Sequence, residues 1–275
     1  MSSLAIFSQH TRLLLEQIEN DNFPTLLVDM FKALVSLNDA SIILYPNQDL
    51  PLCEYLESPS EGGSLHMDRF IKAPFLLDPF YQASIEGRWG FFHLQELAPK
   101  GFKKSEYYNS WYRLSGLHDE CGYVIDTGAG NFVNISLGRT IDPANFRKTE
   151  LQLLRDITPV VDMLVQKRWR TTAGKQNRLR YQLQAALNAF GDSLLTEREK
   201  QVVNMIMRGH STRSISERLS IAVETVKLHR KHAYAKLEVN SQAELFYLFL
   251  DSLMSVEDYQ EGDALATYLT LRTGQ

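Results

Sequence analysis

The sequence predicts an α+β domain followed by an all-α one, and three observations carry that prediction. Over the first 140 residues, apolar positions recur at helical spacing in some segments and as short strand-like runs in others. A long helical pattern from Pro143 to about Arg170 then closes that part. From Leu195 to Leu250 only helical periodicity remains, in short segments with start and stop signals. At 275 residues, with 44% hydrophobic and 23% charged side chains, the chain is long enough for two ordinary domains with a core each.

Residues 4–20 and 24–36 read as amphipathic helices, with Leu13, Leu14 and Ile18, then Leu26, Leu27, Met30, Phe31 and Leu34, at steps of three and four. The apolar run 40–45, closed by Pro46-Asn47, reads as a buried strand, with 52–57 as its hairpin partner. Residues 58–64 are a loop by composition. Helices are expected near 66–73 and 79–86, a strand at 89–94, and a helix over 104–115 from its aromatic spacing. Strands at 120–126 and 131–137 flank Thr127-Gly128-Ala129-Gly130, a hairpin loop by its glycines. The same two glycines lack the GxGxxG length and following helix of a phosphate-binding loop. Residues 143–170 read as one helix kinked by Pro159. This order, helices around an antiparallel sheet of about five strands, suits a sensor fold of the PAS/GAF kind. The expected organisation is a sensor domain over 1–165, a basic helical linker over 166–193, a helix-turn-helix domain over 194–253 and an acidic tail over 254–275, with a helix from Ala264 to Leu271.

A net charge of −4 speaks at first against nucleic acid. Residues 1–165, however, hold 13 basic against 21 acidic side chains, residues 166–250 hold 15 against 7, and the tail 251–275 holds 1 against 5. The positive charge is concentrated where the helical segment and its linker lie. Cys53 and Cys121 form no CxxC pair and no disulfide framework, which suits reduced cytoplasmic thiols. His10, Arg12 and Glu16 interrupt the apolar N-terminal pattern, and no run of 18 apolar residues occurs, so a soluble protein without a membrane partner is expected.

Residues 195–250 carry the functional signal. Thr196 is a helix cap with Glu199 as its capping-box partner, Val202, Val203, Ile206 and Met207 form an apolar face, and Gly209 is the stop. A second helix covers about Thr212 to Leu219, and Ser220-Ile221-Ala222 turns into a third from about Val223 to Leu237. Two short helices joined by a tight turn, the second basic, make a helix-turn-helix. Val226, His229, Ala233 and Leu237 share the inward face of the third helix, while Lys227, Leu228, Lys231 and Tyr234 share another, with Arg230 beside it. A lysine can reach guanine O6 and N7, and a leucine can meet a thymine methyl. Arg213, Arg230, Lys236 and the hydroxyls of Thr196, Ser211, Thr212 and Thr225 suit phosphates.

The segment resembles the LuxR-type (GerE-like) DNA-binding domain. The landmarks are Leu195-Thr196-Glu197-Arg198-Glu199, Gly209-His210-Ser211-Thr212, Ile215-Ser216-Glu217-Arg218-Leu219, Thr225-Val226-Lys227-Leu228-His229 and Lys236-Leu237. The resemblance implies a four-helical domain of a transcription regulator that binds duplex DNA at two half-sites as a homodimer. It assigns base reading to Lys227, Leu228 and Lys231, backbone contact to Thr225 and Lys236, and pairing of protomers to a fourth helix over about 241–253. Ala222 stands where the family usually caps the third helix with Ser or Thr, and Ser220 where Gly is common.

For the front half, the aromatic density over 70–123 suggests a small-ligand pocket, with Phe75, Asp78, Phe80, Tyr81, Trp89, Trp111 and Tyr123 as lining candidates and Glu120 and Arg113 as further polar groups. Asp78-Pro79, Trp89 and the strand Gly130 to Leu137 loosely resemble autoinducer-binding domains. The consecutive His118-Asp119-Glu120-Cys121 cannot converge on one metal ion. No GxSxG, P-loop, HExxH or spaced triad is present, so no enzyme, cofactor or metal is expected. Three alternatives stand beside the regulator reading: a protein-interaction regulator whose helix-turn-helix no longer reads DNA, an acyl-homoserine-lactone receptor, and an enzyme or carrier in the front half.

Overall fold

A computed structural model describes residues 2–47, 50–59, 63–140, 145–170, 187–254, 265–266 and 268. Most of the expected linker, 171–186, and most of the helix expected from Ala264 to Leu271 lie outside the described residues. The chain forms two compact units, one of Met1–Ile71, Pro79–Leu97 and Ser115–Asn177, the other of Lys72–Asp78, Ala98–Leu114 and Arg178–Gln275. No helix among the described residues is long and apolar enough to cross a membrane.

In the first unit the strand-like runs pair into an antiparallel sheet. Strands β1 (Asp39–Tyr45), β2 (Leu52–Glu57), β3 (Gly90–His93), β4 (Asp119–Gly128) and β5 (Asn131–Arg139) lie in the order β2-β1-β5-β4-β3. The β4–β5 pairing reaches Gly128 and Asn131, which leaves a turn of Ala129 and Gly130 with φ of 54° and 77°. Two left-handed residues give a turn whose twist matches that of a hairpin. Glycine at 130 also leaves room for Asn47, whose side chain would lie 2.7 Å from a Cβ there and donates to the Ala129 carbonyl at 2.9 Å.

The first unit's helices are α1 (Ser3–Glu16), α2 (Phe23–Leu34), α3 (Gly63–Phe70), α4 (Pro79–Ile85) and α5 (Leu94–Leu97). After the second unit's α6 (Glu106–Ser110) follow α7 (Lys148–Asp156) and α8 (Thr158–Trp169). Side chains alternate across a strand, so β4 and β5 divide theirs between two faces. Cys121, Tyr123 and Ile125 oppose Leu137, Ile135 and Val133, and Ala40 and Ile42 extend that face. It packs into one core with Leu14, Leu27 and Phe31 of α1 and α2 and Val161 and Leu164 of α8. Tyr123, a pocket candidate from the sequence, belongs to this core: its ring stacks 5.4 Å from Phe31 and its hydroxyl donates to the Leu154 carbonyl at 2.7 Å.

The expected helix over 143–170 begins later and in two pieces. The Arg147 amide donates to Glu150 at 2.7 Å, which fixes the start of α7. The break falls at Ile157, and Pro159 sits in the first turn of α8, where its missing N–H costs no helical bond. Arg139, 3% exposed, ties the end of β5 to this start. It donates to the carbonyls of Ser36 (2.7 Å) and Asn145 (3.0 Å) and to Glu150 (3.0 Å), and lies 4.1 Å over the Phe146 ring. Asp119 adds a second tie, 2.7 Å from His93 Nε2 and accepting from the Phe146 amide at 2.8 Å.

In the second unit, the helix expected over 104–115 is broken. A 3-10 turn (Phe102–Lys104) ends at Ser105, which leaves the helical region and caps α6 by accepting from the Tyr108 amide at 3.1 Å. Trp111 (φ −126°, ψ −65°) ends α6, and another 3-10 turn follows at Tyr112–Ser115. The aromatic spacing serves a local cluster instead, with Phe102 at 6.1, 5.5 and 5.6 Å from Tyr107, Tyr108 and Tyr112. The same unit holds α9 (Glu197–Met207), α10 (Thr212–Leu219), α11 (Val223–Lys236) and α12 (Gln242–Met254), matching the expected four-helix pattern.

Candidate nucleic-acid interface

The interface is built from the caps outward. The Thr196 amide donates to Glu199 at 2.8 Å and the Thr196 hydroxyl accepts from the Glu199 amide at 3.4 Å, the reciprocal box read from the sequence. Glu199 is 4% exposed and also takes the Lys236 ammonium at 2.6 Å, which joins the start of α9 to the end of α11. Gly209 (φ 85°) ends the first helical segment, and Ser211 caps α10 by accepting from the Ser214 amide at 3.2 Å. Ser220 takes φ 53° at the end of α10, a conformation easier for glycine. Ala222 begins α11 with no side-chain cap. Val226, Ala233 and Leu237 are buried beneath α11, and His229 is half-buried.

The opposite side of α11 carries Lys227, Leu228, Arg230 and Lys231, all exposed, with Tyr234 half-buried beside them. Leu228 is 51% exposed, as single surface leucines often are, and its side chain suits a base methyl. Lys227 rests on Glu224 at 2.8 Å, an exposed pair that is weak and readily exchanged. Among the expected backbone contacts, Arg213 is exposed and pairs with Glu217, while Thr212 and Thr225 are half-buried. Thr196 and Ser211 already serve as caps, and Lys236 is held by Glu199. Sequence reasoning named Glu199 only as a cap. Its partner lies 37 positions away, beyond any local pattern.

Charge tuning in this domain predicts its acid response. Burial works against the Glu199 charge, yet the Lys236 ammonium and the Thr196 amide and hydroxyl outweigh it and hold the carboxyl at about 2. Burial, with Arg218 and Arg208 nearby, holds His210 at about 4. Both folded values lie below the unfolded ones of 4.5 and 6.5, so each group stabilises the fold above its unfolded value and loses that contribution as pH falls toward its folded value. Helicity of the second unit is expected to become less stable from pH 6.5 to 4 through His210 and from 4.5 to 2 through Glu199. Thermal melts of Glu199→Gln should lose the lower window and keep the upper one.

The sensor candidates divide between the units. In the first, Tyr45 and Phe132 stack at 4.8 Å on the sheet face opposite Tyr123, with Tyr81 5.3 Å from Tyr45 and Trp89 6.1 Å from Phe132. Phe80 packs nearby with Ala83, Leu97 and Val124. The Ser84 hydroxyl donates to Asn134 Oδ1 at 3.2 Å, and Asn134 Nδ2 is buried without a partner. In the second unit, Asp78 accepts from the Tyr107 hydroxyl at 2.9 Å, and Phe75 and Trp111 lie in the same unit. Tyr107 and Asn134 were missed as polar groups. An aromatic count does not weigh a hydroxyl, and only strand alternation turns Asn134 away from Tyr123.

A five-stranded α+β unit and a capped four-helix unit with a helix-turn-helix define a transcription regulator of the helix-turn-helix class. The family described as bacterial regulatory proteins, luxR family (GerE), matches residues 193–249. An HTH-type transcriptional regulator assigned in the exeN 3' region of Aeromonas salmonicida is 32% identical over 188 residues, covering 65% of this chain and 95% of that protein. The chain belongs to the luxR family of bacterial regulatory proteins. The monoamine regulon transcriptional regulator of Klebsiella aerogenes is 38% identical over 53 residues, 19% of this chain and 23% of that protein. Among solved structures, the LBD domain of VqsR from Pseudomonas aeruginosa matches with a TM-score of 0.52 at 24% identity, covering 60% of this chain and 98% of that one. That likeness establishes the α+β fold.

Proposed function

We propose that this regulator binds duplex DNA through α11 as a cytoplasmic homodimer and that a small ligand held by its α+β part controls it. One observation carries the DNA reading: Lys227, Leu228, Arg230 and Lys231 stand exposed on a helix whose other side is fixed by Val226, Ala233 and Leu237. Lys227, Leu228 and Lys231 read bases, while Arg213, Arg230, Thr212 and Thr225 meet phosphates. Thr196, Ser211 and Lys236 reach phosphate only by sharing or leaving their present partners. Two protomers joined through α12, where Tyr247 is 54% exposed, would offer their α11 helices to half-sites about one helical turn apart.

Ligand control is supported by the ring cluster of Tyr45, Tyr81, Trp89 and Phe132 together with the buried, unpartnered side-chain amide nitrogen of Asn134, all within the α+β unit. Such a mixture of rings and a few polar groups suits a small organic molecule. The test of DNA binding is its salt dependence. Affinity of the full chain for duplex DNA, followed by fluorescence anisotropy, is expected to fall steeply with salt, with a log–log slope of about −0.9 per phosphate contacted. A flat response would leave a protein-interaction role in its place.

A further inference from the structure

The second unit carries positive charge outside its four carboxy-terminal helices. Between Ala98 and Leu114 stand Lys100, Lys103, Lys104 and Arg113 against one acid, Glu106, although the surrounding sequence is acidic. All four cations are exposed, while Phe102 between them is buried. The three lysines share one short turn, and that turn is docked on the helix-turn-helix. The Ser211 amide, at the cap of α10, donates to the Lys100 carbonyl at 2.7 Å. A Cβ on Gly101 would lie 2.8 Å from the Ser211 nitrogen, and one on Gly209 would meet Ser105 Cβ at 3.1 Å, so two glycines let the backbones touch. Within the turn, the amides of Phe102, Lys104 and Ser105 donate to the carbonyls of Pro99, Gly101 and Phe102 at 2.9, 2.8 and 2.9 Å. Lys103 and Lys104 thus stand on a support that is hydrogen-bonded internally and fixed to α10.

Glu217 of α10 places Lys100 beside a candidate phosphate contact. Its carboxylate lies 3.2 Å from Arg213 Nε and 3.9 Å from Lys100 Nζ, and all three side chains are more than half exposed. Two cations converge there on one solvated carboxylate, an arrangement of little energy that a stronger anion readily replaces.

We propose that the turn from Pro99 to Ser105 is a second DNA-contacting element: Lys100, Lys103 and Lys104 take backbone phosphates flanking those met at the start of α10. The proposal rests on the DNA reading above and extends it from the four helices to a distant stretch of sequence. A duplex carries one negative charge per about 1.7 Å of its axis, so a backbone that reaches Arg213 presents further phosphates beside it. Phosphate contacts fix register and orientation without reading bases. The turn therefore adds affinity and orientation, and base preference stays with α11. Because the turn is already docked, only the lysine side chains lose freedom on binding.

The test uses the full chain and a duplex that it selects from a random pool, with affinity followed over a salt series. Lys100→Gln/Lys103→Gln/Lys104→Gln removes three exposed charges and should melt like the wild type. Its log–log salt slope is expected to be shallower by about 2.7, so a fourfold rise in salt costs the wild type about 40-fold more affinity than the variant. Phosphate-ethylation interference should vanish at the flanking phosphates and persist at the others, with base preference unchanged. Replacing the same three lysines by arginine should keep the wild-type slope and interference pattern. If the arginine variant behaves like the glutamine one, charge is not what the turn supplies and the proposal falls. A glutamine variant with the wild-type interference pattern, while Lys227→Ala still weakens binding, overturns the contact by the turn alone. A wild type that selects and binds no duplex overturns the DNA reading and this contact with it.

Discussion

The double variant Lys227→Ala/Lys231→Ala is expected to lose about 100-fold or more in affinity for its target duplex, because each lysine that pairs with a base edge supplies about 1–3 kcal/mol of discrimination. Both side chains are exposed, and the single ion pair that Lys227 makes is with equally exposed Glu224. The unfolding free energy should therefore stay within about 0.5 kcal/mol of wild type. Affinity lost without stability lost is the signature of a contact surface. Footprinting gives the finer result: protection should weaken first at the bases rather than along the backbone. A double variant that footprints like the wild type would remove α11 from the groove. Lys236→Ala should behave in the opposite way. It leaves Glu199 as a buried carboxylate without its ammonium, so much of its effect should appear in the melt.

Arg139→Ala is expected to be the most damaging substitution in the α+β unit, costing about 3–5 kcal/mol in chemical denaturation. The guanidinium meets two carbonyls, one carboxylate and one ring from three separate parts of the chain, at Ser36, Asn145–Phe146 and Glu150. Removing it strands all of them in a site where Arg139 itself is 3% exposed. Arg139→Lys should recover only a small part, since a point charge cannot reproduce the planar fork that spans these partners. If Arg139→Ala unfolds with wild-type stability, the tie between β5 and α7 carries no weight.

The parts of this molecule that were legible in the sequence are those whose physics is local. Thr196 with Glu199, Ser211 before Thr212 and Gly209 with its positive φ all act within four residues, so α9 and α10 read directly. The strands read well because short apolar runs with turn residues between them leave few other solutions, and the Ala129-Gly130 turn was already visible in its glycines. Over residues 104–115 the aromatic spacing mimics one helical stripe, but Ser105 caps α6 and Trp111 leaves the helix. Aromatic density alone does not separate Tyr123 from a pocket, whereas its parity on β4 places it in the core. Lys236 with Glu199, and the touch of Gly101 on Ser211, join residues 37 and 110 positions apart. No periodicity encodes such pairings.

The second unit is assembled from three separate stretches of chain, Lys72–Asp78, Ala98–Leu114 and Arg178–Gln275. Its borders in space are thus not borders in sequence. A transplant that grafts the helices from 178 onward onto another receptor would leave Phe102, Ser105 and α6 behind, and would strip Gly209 and Ser211 of the surface they rest on. The graft would carry the four helices without the turn that backs Gly209 and Ser211, so its stability would have to be judged apart from that of the whole chain.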